Sequence, residues 1–513
     1  MSTKRVIVIG AGVGGLVTAI DLARQGLEVI VVEKAQTPGG KMREIPVGDA
    51  RIDGGPTILT MTWVFEQLFA DLGATMSDYL RMEKAEILAR HAWSDTERLD
   101  LYADFERSAD EVSRLAGPEE GRRFREFSAQ AKRVYETLEG PFLCSSRPNP
   151  ISLAMRVGLT HLNDLFAIKP YTSMWRILND YFKDPRLHSL FGRFPTYVGA
   201  SPLQAPATFM LMAQVEQNGI WLVEGGMHRI AAALSRLAEE QGVRFQYGVE
   251  ASEIHVENGR AAAVSLANGE RLAGDAIVLN GDVAALAAGL FGQGVSRAAA
   301  AVPLSERSIG LMAWTLTART QGFPLVRHSY FYSDDYAAEF RDVFERRRLP
   351  DGPTVYVCAQ DRNDRDGLGP DGPERLLLLT YAPPIGDTHT FEGAEIEQCA
   401  ERTFSHLARL GLQVDRQPAT TVLTTPDKFH RAFPASGGAI YGRAAHGWRS
   451  SFIRPTSRSR VPGLYLAGST THPGPGVPMA AISGRLAAAT LVGDLVSTGK
   501  SRGMVTLGGT STP

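Results

Sequence analysis

Cysteine is scarce in this chain: Cys144, Cys358 and Cys399 are the only three in 513 residues, far apart and without a CxxC spacing. That excludes a disulfide-stapled fold, a zinc ribbon and a redox dithiol, and leaves free thiols of the kind expected in a reducing cytoplasm. The eleven histidines fall into no HExxH or similar paired spacing, so no metal is expected. A surplus of basic charge is missing too. The formal net charge is −2, which excludes the phosphate-neutralising surface that a nucleic-acid partner requires. No run of about 18 uninterrupted apolar residues is present, so no membrane-spanning helix is expected, whereas peripheral contact with a membrane surface is compatible with the sequence. The beginning carries no signal-peptide pattern, because residues 6–22 read as strand, glycine turn and helix. Internal repeats and low-complexity tracts are absent up to residue 497, after which small polar residues dominate.

What the chain does contain is enough length for about two or three domains. Residues 5–9 form a short β-branched run ending at a glycine, the pattern of a buried parallel strand entering a tight turn. Leu16, Ala19, Ile20 and Ala23 recur at helical spacing, and residues 28–33 supply a second buried strand, completing a βαβ unit. Residues 76–214 are mostly helical in pattern, with a proline-rich turn at residues 145–150. Strand and turn signals return between 243 and 279, with Asn258-Gly259 and Asn268-Gly269 as hairpin turns. Strands and helices mix from 298 to 430.

The expected fold is therefore α/β. A discontinuous Rossmann-like domain is expected from residues 1–75, 215–297 and 431–500. A helical insertion over 76–214 is a candidate membrane-contact region. A mixed α+β substrate domain spans 298–430, and 501–513 is expected to be a flexible tail.

Gly10-Ala11-Gly12-Val13-Gly14-Gly15 lies between strand and helix. Gly10 permits the tight turn, Gly12 lets the backbone approach a pyrophosphate, and Gly15 permits close packing of helix on strand. The helix N-terminus offers its free amides and positive dipole end to the anion. Glu33 closes the second strand at the spacing of a carboxylate that accepts hydrogen bonds from an adenosine ribose. These features fit FAD or NAD.

The following segments separate the two. Residues 33–43 contain Glu33, Lys34, Gly39, Gly40, Lys41, Met42 and Arg43, and residues 53–57 read Asp53-Gly54-Gly55-Pro56-Thr57. Near the other end, Leu464 to Gly468 reads as a strand closed by glycine, followed by Thr471-His472-Pro473-Gly474-Pro475-Gly476-Val477-Pro478-Met479. With Asn218-Gly219-Ile220-Trp221, Glu224-Gly225-Gly226-Met227 and Asn280-Gly281-Asp282, these motifs resemble the bacterial carotenoid desaturase family of FAD oxidoreductases. The resemblance runs from the start through the middle to the end of the chain. It implies FAD as cofactor, with Gly10, Gly12, Val13, Gly14, Gly15, Glu33, Lys34, Gly40, Lys41, Met42, Gly55, Pro56, Thr57, Val249, Gly468, Val477, Pro478 and Met479 around it. Lys41 and Arg43 would offset flavin and pyrophosphate charge, and Val249 would meet the adenine. No second GxGxxG is present, so a nicotinamide site is not indicated. His472 offers either a base or a turn-stabilising hydrogen bond, and the turn role is favoured for a His beside Pro and Gly.

The same resemblance implies a hydrophobic carotenoid substrate held in an apolar tunnel. It further implies FAD-dependent removal of two vicinal hydrogens, with oxygen or a quinone as electron acceptor. No residue is singled out as the proton acceptor. Residues 437–455 and 478–485 resemble the hydroxycarotenoid 3,4-desaturase (methoxyneurosporene dehydrogenase) branch more than the phytoene desaturases. The expected reaction is 3,4-desaturation of a 1-hydroxy or 1-methoxy carotenoid, with His446, Tyr441 and Arg443 as candidate partners of the oxygen. Phytoene desaturation is the alternative, followed by a flavin amine or protoporphyrinogen oxidase. Ile151, Met155, Leu159, Leu162 and Phe166 at helical spacing, near Arg147, Arg156, Lys169 and Arg176, fit a membrane-surface helix or a core-facing one. The family context places the enzyme peripherally on the cytoplasmic side of the membrane, or otherwise in the cytoplasm.

Overall fold

The computed structural model describes residues 4–146, 149–150, 153, 155, 168–363 and 369–503, with side chains to residue 497. Val6, Ile7 and Val8 are completely buried, so the opening strand Arg5–Ile9 has both faces covered, as its unbroken apolar run requires. It is the middle strand of a five-stranded parallel sheet. The order is Leu464–Leu466, Ala276–Leu279, Arg5–Ile9, Glu28–Glu33, Arg244–Tyr247. The strands come from the beginning, middle and end of the chain, so the discontinuous threading expected from the motifs is present.

Helices Val13–Arg24, His228–Glu240 and Val477–Gly503 cover one face of this sheet. A three-stranded antiparallel sheet, Ala251–Glu257, Arg260–Leu266 and Arg271–Ala273, covers the other. The stretch Val477–Ser497 is long and apolar enough to cross a membrane by length and composition alone. Its contacts say otherwise: it packs on Val13–Arg24, and Thr18 Oγ1 donates to the carbonyls of both Gly14 (2.7 Å) and Gly484 (3.1 Å). This is a core helix of the nucleotide domain. Its backbone continues to Gly503, into the segment expected to be tail; residues 504–513 lie outside the described residues.

The second domain is built on an eight-stranded mixed sheet. Its path is Leu412–Asp415, Gly310–Gly322, Glu374–Ala382, Val355–Ala359, His328–Phe331, Ile87–Ala92, Arg98–Tyr102, with Thr421–Thr424 paired to Gly310–Gly322. The expectation of a helical insertion over 76–214 needs correction here. Met82–Lys84 pairs with Trp221–Val223, and Ile87–Ala92 joins the large sheet in parallel beside His328–Phe331. The strand was missed because it is buried on both faces and carries Arg90 and His91. Arg90 is held by Asp100, and His91 shares a hydrogen bond with the Tyr332 hydroxyl, so neither breaks the burial that periodicity reads as helix.

The helical portion comprises Phe105–Ala116, Pro118–Leu138, Met174–Tyr181, Pro185–Gly192 and Leu211–Asn218. Phe124, Phe127, Phe182, Phe191 and Phe194 are its buried centre. The helix expected between residues 150 and 169 lies almost entirely outside the described residues.

Candidate active site

The fingerprint glycines occupy the place the sequence assigned them. Gly10 has φ +99°, a conformation other residues rarely adopt. A Cβ on Gly15 would stand 2.1 Å from the Gly10 carbonyl oxygen, so only hydrogen fits between helix and strand. Gly468, φ +111°, ends the last strand of the parallel sheet directly opposite. A Cβ built on Gly14 would lie 2.9 Å from its Cα.

At the centre of these approaches is Asn280, whose Nδ2 donates to the Ala467 carbonyl (3.1 Å) while its backbone N–H donates to Ile9 (2.8 Å). The sequence marked Asn280 only as a post-strand turn. The detectable signal was an amide side chain directly after a buried strand, at the crevice beyond the carboxyl ends of a parallel sheet.

Glu33 is buried, and its two carboxylate oxygens accept from backbone N–H groups of Ala11 (2.7 Å) and Ala35 (2.8 Å). The carboxylate is thereby fixed at the fingerprint turn, with lone pairs left for ribose hydroxyls. Val249 donates its N–H to the Glu33 carbonyl (3.2 Å), beside the adenosine position. Gly39 and Gly40 lie on the fingerprint: Gly39 N–H donates to Ala11 O (2.9 Å), and Met42 N–H returns to Gly39 O (3.0 Å). Gly55 backs on the Lys41 carbonyl, 2.0 Å from where its Cβ would be. Val13, Met42, Val477 and Pro478 are buried, and Met479 is partly so. The first helix N-terminus would hold the pyrophosphate of a dinucleotide, and the second, at Val477, is available to its far end. The residues therefore fit FAD: a Cβ at Gly12, Gly14 or Gly468 would close the cradle, and Glu33, fixed at the fingerprint turn, would hold its adenosine ribose.

The expected cofactor-binding lysines both contact backbone carbonyls of a later segment. Lys34 Nζ donates to the Ala432 carbonyl and Lys41 Nζ to that of Ile440, each at 2.7 Å. Lys41 also lies over the rings of Phe429 and Phe433, and Arg43 over Phe433. Burial pushes the Lys41 ammonium below its usual pKa. These side chains bind the 429–441 segment to the flavin motif. Asp53 is likewise structural: its carboxylate accepts from the N–H groups of Met227 (2.6 Å) and His228 (3.1 Å), where the next helix begins. The Glu224-Gly225-Gly226-Met227 motif has its reason there, since a Cβ on Gly226 would meet Asp53 Oδ2 at 2.4 Å.

Thr57 leads into the substrate domain. Its Oγ1 shares a 2.7 Å hydrogen bond with the Tyr356 hydroxyl, which also meets His328 Nδ1 at 2.8 Å. Tyr356 stands opposite Tyr330 in the sheet, ring centroids 4.8 Å apart. From there a buried chain runs through Tyr197 to the ion pair of Arg193 and Glu216. The sequence picked out none of Tyr330, Tyr197, Arg193 or Glu216, because they come from three segments far apart in the chain.

The expected oxygen partners fare differently. His446 Nε2 accepts from the Ser201 N–H (2.9 Å), and Arg443 is ion-paired with Glu306. Tyr441 is packed against Gly199 and Ser308. His446 and Arg443 are thus engaged structurally. His472 is buried, with Nε2 on the Phe142 carbonyl (3.2 Å), a contact that ties its turn to a distant segment of the chain.

Burial holds His328 down to about 3 and His446 and His472 to about 4, against 6.5 for an exposed His. A base with a depressed folded pKa binds fewer protons than the unfolded chain between the two values. Stability is therefore lost as pH falls from about 6.5 toward 4 for His446 and His472, and on toward 3 for His328, on the order of 3–5 kcal/mol for each residue. The unfolding midpoint should drop steeply across that window. His472→Asn should flatten the profile, and an unchanged slope in that variant would remove His472 as a contributor.

Taken together, the parallel sheet, the glycine cradle and the second anion-facing helix end define an FAD-dependent oxidoreductase. The sequence model of the flavin containing amine oxidoreductases matches residues 13–492. Hydroxyneurosporene desaturase of Rubrivivax gelatinosus is 52% identical over 513 residues, covering 100% of this chain and 98% of that one. The hydroxyneurosporene desaturase of Cereibacter sphaeroides is 42% identical, with 96% and 98% covered. The chain belongs to the flavin-containing amine oxidoreductase family, in its carotenoid desaturase branch. Solved structures similar in fold include an oxidoreductase from Methanosarcina mazei (TM-score 0.59, 16% identity, 95% and 100% covered). A putrescine oxidase variant gives a TM-score of 0.58 at 14% identity, with 97% and 99% covered.

Proposed function

We propose that the protein desaturates an acyclic carotenoid at C-3,4, next to an end bearing a C-1 hydroxyl or methoxy group. The observation that carries this reading is the full-length 52% identity to a hydroxyneurosporene desaturase, joined to a complete flavin cradle. Bound FAD supplies the two-electron acceptor for the hydride, and a proton leaves the neighbouring carbon. The protein's part is to align an uncharged polyene and exclude water, and the large sheet turns an aromatic face, including Tyr330, Tyr356 and Tyr381, toward that task.

Peripheral membrane contact belongs to the same proposal, since the substrate resides in lipid. Supporting it, Tyr171 and Ile453 are exposed, Tyr171 packs edge-on to Trp448, and Arg449 lies over the Trp448 ring. Aromatic and aliphatic groups with a cation beside them suit an interface. Oxygen or a membrane quinone is the proposed electron acceptor, in keeping with a single dinucleotide fingerprint. Strict dependence of turnover on added NAD or NADP would exclude it.

The test supplies liposomes carrying phytoene, neurosporene and 1-hydroxyneurosporene to the FAD-loaded protein. The expected result is loss of two hydrogens from the hydroxylated compound, with a longer-wavelength absorption. Desaturation of phytoene with no turnover of the hydroxylated compound would refute the branch assignment and leave the family intact.

A further inference from the structure

Arg193 and Glu216 form a two-pronged ion pair at 2.9 and 2.7 Å, in a region otherwise lined by aromatic side chains. Their side chains are 1% and 4% exposed. A hydrocarbon-binding enzyme has no need of so costly a buried pair, and its partners give it direction. Glu216, paired with Arg193 as a carboxylate, can only accept. The Tyr197 hydroxyl therefore donates its one proton to Glu216 Oε1 (2.7 Å), while its oxygen accepts from Arg193 Nη1 (2.7 Å). Between Tyr197 and Tyr330 the hydroxyl oxygens are 3.0 Å apart. With the Tyr197 proton already committed, Tyr330 must be the donor in that bond.

The Tyr330 oxygen is thus left as an acceptor with no proton to offer, and it accepts no hydrogen bond among the described residues. Its ring is 4.8 Å from that of Tyr356, whose hydroxyl is bonded to Thr57 of the flavin motif. An oxygen on C-1 would be two carbons from the bond that reacts.

We propose that Tyr330, polarised by the Arg193–Glu216–Tyr197 chain, is the specificity-determining acceptor for the hydroxyl proton at the substrate's oxygenated end. The inference rests on the 3,4-desaturase reading and narrows it: a hydroxyl can donate to Tyr330, whereas a methoxy group or a hydrocarbon end cannot. Selection therefore falls on the donor, not on size or polarity alone.

The test compares kcat/KM for 1-hydroxyneurosporene, 1-methoxyneurosporene and neurosporene in liposomes, for the FAD-loaded wild type, Tyr330→Phe and Tyr197→Phe. Flavin content and melting temperature are recorded for each. Wild type should prefer the hydroxylated over the methoxylated compound at least about tenfold, and Tyr330→Phe should bring that ratio close to unity. Tyr197→Phe removes the acceptor of the Tyr330 proton and frees Tyr330 to donate. Turnover of the methoxylated compound should then rise relative to the hydroxylated one, a change that mere loosening of the fold does not produce. If Tyr330→Phe loses its flavin, the Tyr197→Phe ratio decides. Oxygenated substrates desaturated with a hydroxyl-to-methoxyl ratio near one in wild type, or a ratio unmoved in the folded variants, would overturn the proposal while the 3,4-desaturase reading stands. Failure of wild type on every oxygenated compound would overturn both.

Discussion

Glu33→Arg should emerge from purification colourless. The Glu33 carboxylate accepts two backbone N–H bonds at the fingerprint turn, from Ala11 and Ala35, where it would accept from the ribose of FAD. Hydrogen bonds to a charged group contribute about 1.5–3 kcal/mol each. A guanidinium has no acceptor and would leave both N–H groups and the ribose hydroxyls without a partner. Losing even two such bonds lowers FAD affinity by about a hundredfold or more. The flavin absorbance relative to protein absorbance reads this directly, and titration with FAD gives the affinity. Glu33→Gln keeps one acceptor oxygen and should retain flavin at high FAD concentration. A yellow Glu33→Arg protein with full stoichiometry would mean that Glu33 does not meet the ribose.

The second large effect concerns stability. Glu216→Ala leaves the Arg193 guanidinium buried without its counter-charge, and breaking a buried pair from one side costs about 3–5 kcal/mol. Arg193 is buried near the rings of Phe194, Tyr197 and Tyr330, which carry no compensating negative charge. Unfolding in denaturant should show the loss as a lowered midpoint. The double variant Arg193→Met with Glu216→Leu should recover most of it, because two apolar groups of similar volume need no partner. Equal instability of the single and double variants would indicate a packing role for Glu216 instead of a charge-pairing one.

Most of the flavin site was legible because its determinants are local. A glycine that must adopt positive φ, a strand that must be apolar on both faces, and an acidic residue at the strand end are each set by a few neighbouring residues. Gly10, Glu33 and Gly468 accordingly stand where the motifs put them. The contact that Lys41 makes in the fold was hidden for a different reason. Its nearest ligand, the Ile440 carbonyl, is contributed by a segment about 400 residues later in the chain, and no spacing rule links the two. The strand Ile87–Ala92 was hidden in a helical-looking stretch because its polar residues, Arg90 and His91, find partners such as Asp100 and Tyr332 once the sheet has formed.

The sequence alone determined the parallel sheet, its discontinuous assembly and the anion-binding helix ends, since backbone sterics and hydrophobic periodicity act over short stretches. Tertiary structure alone assembled the Tyr330 hydrogen-bond chain. Tyr330, Tyr197, Arg193 and Glu216 carry no shared motif, and they acquire a common role only when a strand, a 3-10 turn and two helices close around them. The direction of their hydrogen bonds follows from which group can no longer donate, and that is settled by contact in space, not by order along the chain.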